Sequence, residues 1–163
     1  MKKVQVKLLF LLFILFFLDI VRPFGYSLMS EFLFLGIIFV ALHTSFIFSL
    51  FIAIIFGYFK DAFSAFGGSL SITAFILIST LIHIFRYRLL FAVKRRYYNF
   101  IKAVIVSIAI ILYAFFNFAC VRLVSLFLFG QFFIQSFLLA LLIDYLLKNL
   151  VTVYLPESVS NRR

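Results

Sequence analysis

The chain has 163 residues but no tryptophan, one cysteine, two histidines and five acidic residues. Each shortage excludes something. The lone Cys120 can make no intrachain disulfide, and one thiol supplies too few ligands for a metal; it reads as a small buried hydrophobe. His43 and His83 have no second His, Cys or carboxylate at ligand spacing, which argues against a metal site. No nucleophile–base pattern and no phosphate-cradling glycine loop is present, so nothing points to an enzyme or to a cofactor. Without Trp, the aromatic anchors of a membrane interface fall to Tyr26, Tyr58, Tyr97, Tyr98 and Tyr154. Charged residues make up 12% of the chain, against about 25% in soluble domains, and no soluble domain, repeat or low-complexity linker is visible.

What is abundant is apolar: 67% of residues are hydrophobic, 27 of them Phe. At about 20 residues per span, the length allows five or six membrane helices and little else. Twelve of the 15 Lys and Arg sit at alternate ends of the apolar runs, and the loops between hold only Arg22, Lys60 and Arg122. Lys2, Lys3 and Lys7 precede the first run. Arg86, Arg88, Lys94, Arg95, Arg96 and Lys102 form a belt in the middle. Lys148, Arg162 and Arg163 follow the last run. Cytoplasmic loops of polytopic membrane proteins keep the cations, so the net charge of +10 reads as a topology signal that also meets anionic lipid, not as nucleic-acid binding.

The first helix is expected over residues 4–21, ending at Asp19 and Arg22 before Pro23 and Gly25. Lys2, Lys3 and the apolar run 8–18 imitate a signal peptide, with Gly25-Tyr26-Ser27 as a weak cleavage site; a retained helix fits better, because the rest of the chain is also apolar. The stretch 32–59 could be one helix about 42 Å long or two short ones. Charge parity decides. A single helix would place the basic belt outside, and each cation costs about 2.5–3.5 kcal/mol at the bilayer centre on insertion scales. The stretch is therefore split near His43-Thr44-Ser45. Each half is short for a core of about 30 Å, which calls for local thinning or for a hairpin shielded by other helices. A small-residue loop over 60–71 leads to a fourth helix over 70–85. The fifth is expected over 102–120. Arg122 and Gly130-Gln131 mark the next turn, and the sixth helix spans 132–153. The expected fold is all-α, one integral membrane domain over 1–155 with six transmembrane helices and both termini cytoplasmic, followed by a polar tail over 156–163.

Few polar groups interrupt the helices. Asp144 lies four residues before Lys148, and Asp19 one turn before Arg22, so each is expected to pair on its own helix. Asn117, His43, Thr73, Ser107 and Gln135 are the loose candidates for a ligand cavity. No polar helix stripe suggests a water-filled pore. The most specific pattern is Gly57-Tyr58-Phe59-Lys60-Asp61, followed by Ser64 and Gly67-Gly68. Ala53, Gly57 and Asp61 recur at four-residue spacing, hence on one helix face. Small residues there let another helix approach closely, and the carboxylate can cap or hydrogen-bond the loop that comes next. The competing reading is an ordinary helix end with its turn.

A short membrane helix ending in G-x-x-x-D, then a Ser/Gly loop and another apolar helix, resembles the bacterial rod-shape-determining protein MreD family over residues 30–88. The resemblance places Gly57 and Asp61 on the motif glycine and aspartate, Ser64 on the loop serine, and Gly67 or Gly68 on the glycine opening the next helix. Ala65 stands where a loop glycine is often found. The resemblance implies the six-helix architecture shared with the S components of energy-coupling-factor transporters. It also implies a non-enzymatic scaffold of the bacterial inner membrane, without cofactors, for cell shape and peptidoglycan synthesis. Its partners would be an MreC-like bitopic protein and, through it, an MreB-like filament and the RodA/penicillin-binding transpeptidase complex. A substrate-binding subunit of a vitamin or small-molecule transporter is the alternative on the same architecture.

Overall fold

The computed structural model describes residues 2–21, 31–63, 70–90, 97–119 and 126–151, and the elements among them are all helical. They are α1 (Lys2–Ile20), α2 (Phe32–His43), α3 (Phe46–Phe63), α4 (Leu70–Phe85) with a short π-helical extension (Arg86–Leu90), α5 (Tyr98–Ala119) and α6 (Leu126–Val151). Among the described residues three stretches are long and apolar enough to cross a membrane: Phe46–Phe63, Tyr98–Phe116 and Phe129–Leu147. α2 and α4 have only 12 and 16 residues. α1 holds Lys2, Lys3, Lys7 and Asp19 near its two ends.

The break after α2 falls at Thr44 and Ser45, where the sequence places it. Thr44 explains the stop. Its backbone is extended, and both its N–H (2.9 Å) and its Oγ1 (2.7 Å) donate to the carbonyl of Val40. A hydroxyl that bonds the preceding turn competes with helix continuation. The N–H of Ser49 donates to the carbonyl of Ser45 at 3.0 Å, so the next helix starts at once.

Two expected boundaries are corrected. α5 begins at Tyr98 rather than at 102, and α6 begins at Leu126 rather than at 132. Gly130-Gln131 is therefore no turn. A Cβ at Gly130 would meet nothing within 4 Å, so this glycine lies in open space on a continuous helix. One interior glycine costs about 1 kcal/mol, less than the burial of Phe132 and the packing of Phe129 against the core return. Cys120, Tyr26, Tyr154 and the tail over 156–163 lie outside the described residues.

Successive helices run in opposite directions. The end of the bundle that holds the α2–α3 turn is termed the turn end, and the other the far end. α2 is the centre. All ten residues from Leu33 to Leu42 are buried, and α1, α3, α4 and α6 pack around it. A helix apolar on every side is kept from water by protein or by lipid, and the sequence FLFLGIIFVALH has no polar face to expose. Gly36 lets α1 close in: a Cβ there would stand 2.8 Å from Leu12 Cδ2 and from Leu15 Cδ1. Phe13 and Phe16 of α1 meet Phe56 and Phe63 of α3 largely edge-on, with centroids 5.2 Å apart for Phe13–Phe56 and 5.8 Å for Phe16–Phe63.

Candidate functional site

The Gly57–Asp61 pattern is a seam between α3 and α4. Gly57 is buried, and a Cβ on it would lie 2.7 Å from Ile72 Cα and 3.1 Å from Ile72 N. The contact is to backbone, which cannot swing aside. One turn on, Asp61 Oδ1 accepts the N–H of Ser71 (3.0 Å) and Oδ2 that of Ile72 (3.1 Å). These are first-turn amides of α4 with no partner inside their own helix, and the carboxylate also meets the positive end of that helix. The seam continues towards the turn end through buried Ala53 to Ser49. Ser49 Oγ lies 2.8 Å from Ser79 Oγ and 2.9 Å from His83 Nε2. Ser49, Ala53, Gly57 and Asp61 thus form one stripe at four-residue spacing, each small or polar. Ser64, Gly67 and Gly68, the remaining motif residues, lie outside the described residues.

Asp19 repeats the device. Its Oδ1 and Oδ2 accept the N–H groups of Phe32 (3.0 Å) and Leu33 (2.8 Å) at the start of α2; Arg22, its expected partner, lies outside the described residues. Glu31, the residue at the N-cap of α2, makes no cap bond with its own side chain. The carboxylate of α1 does that work, and Glu31 is left to turn elsewhere.

Glu31 turns to Lys60 and Tyr113. Lys60 Nζ donates to Glu31 Oε2 and, at 2.5 Å, to Tyr113 Oη; the Tyr113 hydroxyl also donates to Glu31 Oε2. Lys60 Nζ stands 5.3 Å from the Tyr113 ring centre and 5.5 Å from that of Phe75, within cation–π range. Phe34 stacks on Tyr113 with centroids 3.7 Å apart. α2, α3, α4 and α5 meet in this far-end cluster.

The second cluster lies at the turn end. Asp144 of α6 was expected to pair with Lys148. Its Oδ1 lies 2.8 Å from His43 Nε2 and accepts from Lys102 Nζ, which is itself 3.1 Å from His43 Nε2. These contacts have a simple cause. Asp144 lies on the side of α6 that packs on α2, and the end of α2 delivers His43 there, with Lys102 of α5 beside it. The side chain of Lys148 lies outside the described residues. Arg86 Nη1 adds a bond to the carbonyl of Thr44 at 2.7 Å.

The loose cavity candidates do not converge. His43 is at the turn end. Ser107 Oγ bonds the carbonyl of Ala103 in its own helix (2.9 Å), and Thr73 is exposed on α4. Gln135 is on α6, and the side chain of Asn117 lies outside those described. Among the described residues no group of three His, Cys, Asp or Glu could hold a metal ion. A cleft of about 230 Å³ does open between α2, α5 and α6, with Asn99, Lys102, Asp144 and Tyr145 among its lining residues. Sequence reasoning passed over Glu31, Tyr113, Ser49 and Ser79. Glu31 carries a signal, as a single acid placed against an apolar run, and Ser49 extends the four-residue spacing of the seam. No protein-family model, no curated protein and no solved structure matches the chain.

Proposed function

We propose that the chain is a six-span inner-membrane protein with both termini cytoplasmic, and that it serves as a non-enzymatic scaffold of the MreD kind in bacterial cell elongation. The observation that carries this reading is where the polar groups go. Asp19, Asp61, Glu31, Lys60, His43, Lys102 and Asp144 all bind other parts of the same bundle. In hydrocarbon, backbone amides and charges have to be satisfied inside the protein, and helices are held by close packing and interhelical bonds. α2, about 18 Å long at 1.5 Å per residue, is short for a core of about 30 Å, and its sheath of neighbours favours a shielded hairpin over local thinning. The geometry of Gly57 and Asp61 suits the structural role that the MreD resemblance gives them.

The expected partners are an MreC-like bitopic protein and, with it, the MreB-like filament and the RodA/penicillin-binding transpeptidase complex. A vitamin-binding transporter subunit gains less support: the cleft of about 230 Å³ is smaller than the 300–1,000 Å³ typical of small-molecule sites, and a hollow of about 420 Å³ is lined by residues of α4 alone, Thr73, Ile76, Leu77, Thr80 and Leu81. The test is co-purification of the tagged chain from cells in mild detergent, together with cell shape on depletion. Retention of a bitopic coiled-coil protein and loss of rod shape are expected. Intact rods with no such partner, or a protein stripped from membranes by alkaline carbonate, would refute the proposal.

A further inference from the structure

We infer that the cleft between α2, α5 and α6 binds an anionic phospholipid, with the phosphate at the turn end and one acyl chain reaching toward mid-bundle. The cleft is graded along its length. Asn99, Lys102, Asp144 and Tyr145 line the part nearest the start of α5 and the end of α6. Leu35, Ile38, Val106 and Ala140 line the part further in. Its floor is α2, which is buried, and its rim holds Asn99, Leu141 and Tyr145, which are exposed, so the cleft opens sideways. A ligand that enters sideways, polar at one end and apolar along the rest, has the build of a lipid. The volume of about 230 Å³ suits a segment of one chain better than a compact drug-sized molecule.

The charge at this end selects the head group. Among the described residues Arg86 and Arg88 directly follow α4 and Lys102 lies in the first turns of α5. Asp144 is the only carboxylate among the described residues at the turn end, and it already serves Lys102 and His43. The surplus is positive, and a basic pocket between membrane helices on the cytoplasmic side attracts anionic head groups. The Asn99 amide and the Tyr145 hydroxyl are neutral donors on the same part of the lining.

The inference rests on the membrane reading of the chain, and its test separates the two. Purified, delipidated full-length protein is titrated by native mass spectrometry with phosphatidylglycerol, phosphatidylcholine, diacylglycerol and glycerol 3-phosphate. Phosphatidylglycerol is expected to bind about tenfold more tightly than phosphatidylcholine, and the chain-only and head-only probes more weakly than either. Ala103→Phe, which puts a ring into the cleft, is expected to abolish the preference. Tyr145→Phe and Asn99→Leu, at exposed rim positions, are expected to reduce it, and they keep the test open should Ala103→Phe fail to fold. Equal binding of the two phospholipids, or an unchanged preference in all three variants, overturns the inference. Glycerol 3-phosphate binding as tightly as phosphatidylglycerol would identify a soluble phosphate ester instead and overturn it too. So would a photoreactive residue at position 103 that crosslinks to a polypeptide rather than to lipid. Release by alkaline carbonate defeats the membrane reading; a firmly embedded protein that fails these binding tests defeats this inference alone.

Discussion

Gly57 leaves the least room for substitution. A side chain there meets the Cα and N of Ile72, and backbone can yield only by moving α4. Gly57→Leu raises local helix propensity yet overpacks the seam, at a cost of about 1–3 kcal/mol or more. The expected outcome is lower accumulation of the chain expressed alone, read on a blot of the membrane fraction; wild-type accumulation would contradict the contact. Asp61→Ala strips two first-turn amides of α4 of their acceptor and is expected to cost about 2 kcal/mol in detergent melts. Asp61→Asn keeps one acceptor oxygen and should fall between Ala and wild type. An Asn variant as weak as the Ala variant would mean that charge, not hydrogen bonding, holds the corner. Both residues were legible in the sequence, because four-residue spacing of small and polar groups is a local pattern. The contact of Asp144 with His43 was not. Helix periodicity points to Lys148 one turn away, whereas His43 lies 101 residues off, and only the packing of α6 on α2 brings it close.

At the scale of elements, α1–α2 and α3–α4 are built alike. Each pair has an aspartate near the end of its first helix whose carboxylate bonds two amides at the start of the second. Asp19→Ala is therefore expected to destabilise by an amount similar to Asp61→Ala, and a cost below a quarter of it would break the parallel. The third helical pair uses other means. Asp144 joins α6 to α2 and α5 through His43 and Lys102. Lys102→Met leaves that carboxylate without its cation in a half-buried place and is expected to cost about 3–5 kcal/mol. Lys102→Met with Asp144→Leu should recover much of the loss. A double variant no better than the single one would mean that the pair is not coupled. The element order and the α2–α3 break were readable from charge parity and from the polar trio at 43–45. The starts of α5 and α6 were not, because a cation at Lys102 and a glycine at Gly130 look like ends, and tertiary burial carries the helices through them.

For the whole molecule, the testable quantity is which side each loop faces. With Cys120 replaced, single cysteines at Ala65 and Arg95 are expected to label from opposite sides: position 65 from outside the cell and position 95 only after the membrane is opened. Labelling of position 95 in intact cells would reject six spans with cytoplasmic termini. The all-helical architecture was legible because a chain with 67% apolar residues and charges confined to run ends has few other ways to fold. Which of the two readings of α2 holds, local thinning or a shield of other helices, was not legible, since apolar runs look alike whether they face lipid or protein.

The two kinds of polar contact also differ in when they can exist. The aspartate caps close loops of 10 to 14 residues, so each can form as soon as its own hairpin has left the ribosome. The charged clusters span 29 to 101 residues and wait for later helices: Glu31 for α3 and α5, His43 for α5 and finally α6. Short loops close at lower entropic cost and faster than long ones. Loop closure thereby favours an order in which the α1–α2 and α3–α4 hairpins form first and α6 arrives as the closing piece. Until Asp144 arrives, a chain still under synthesis carries His43 and Lys102 without their carboxylate, which makes the unfinished protein chemically distinct from the finished one.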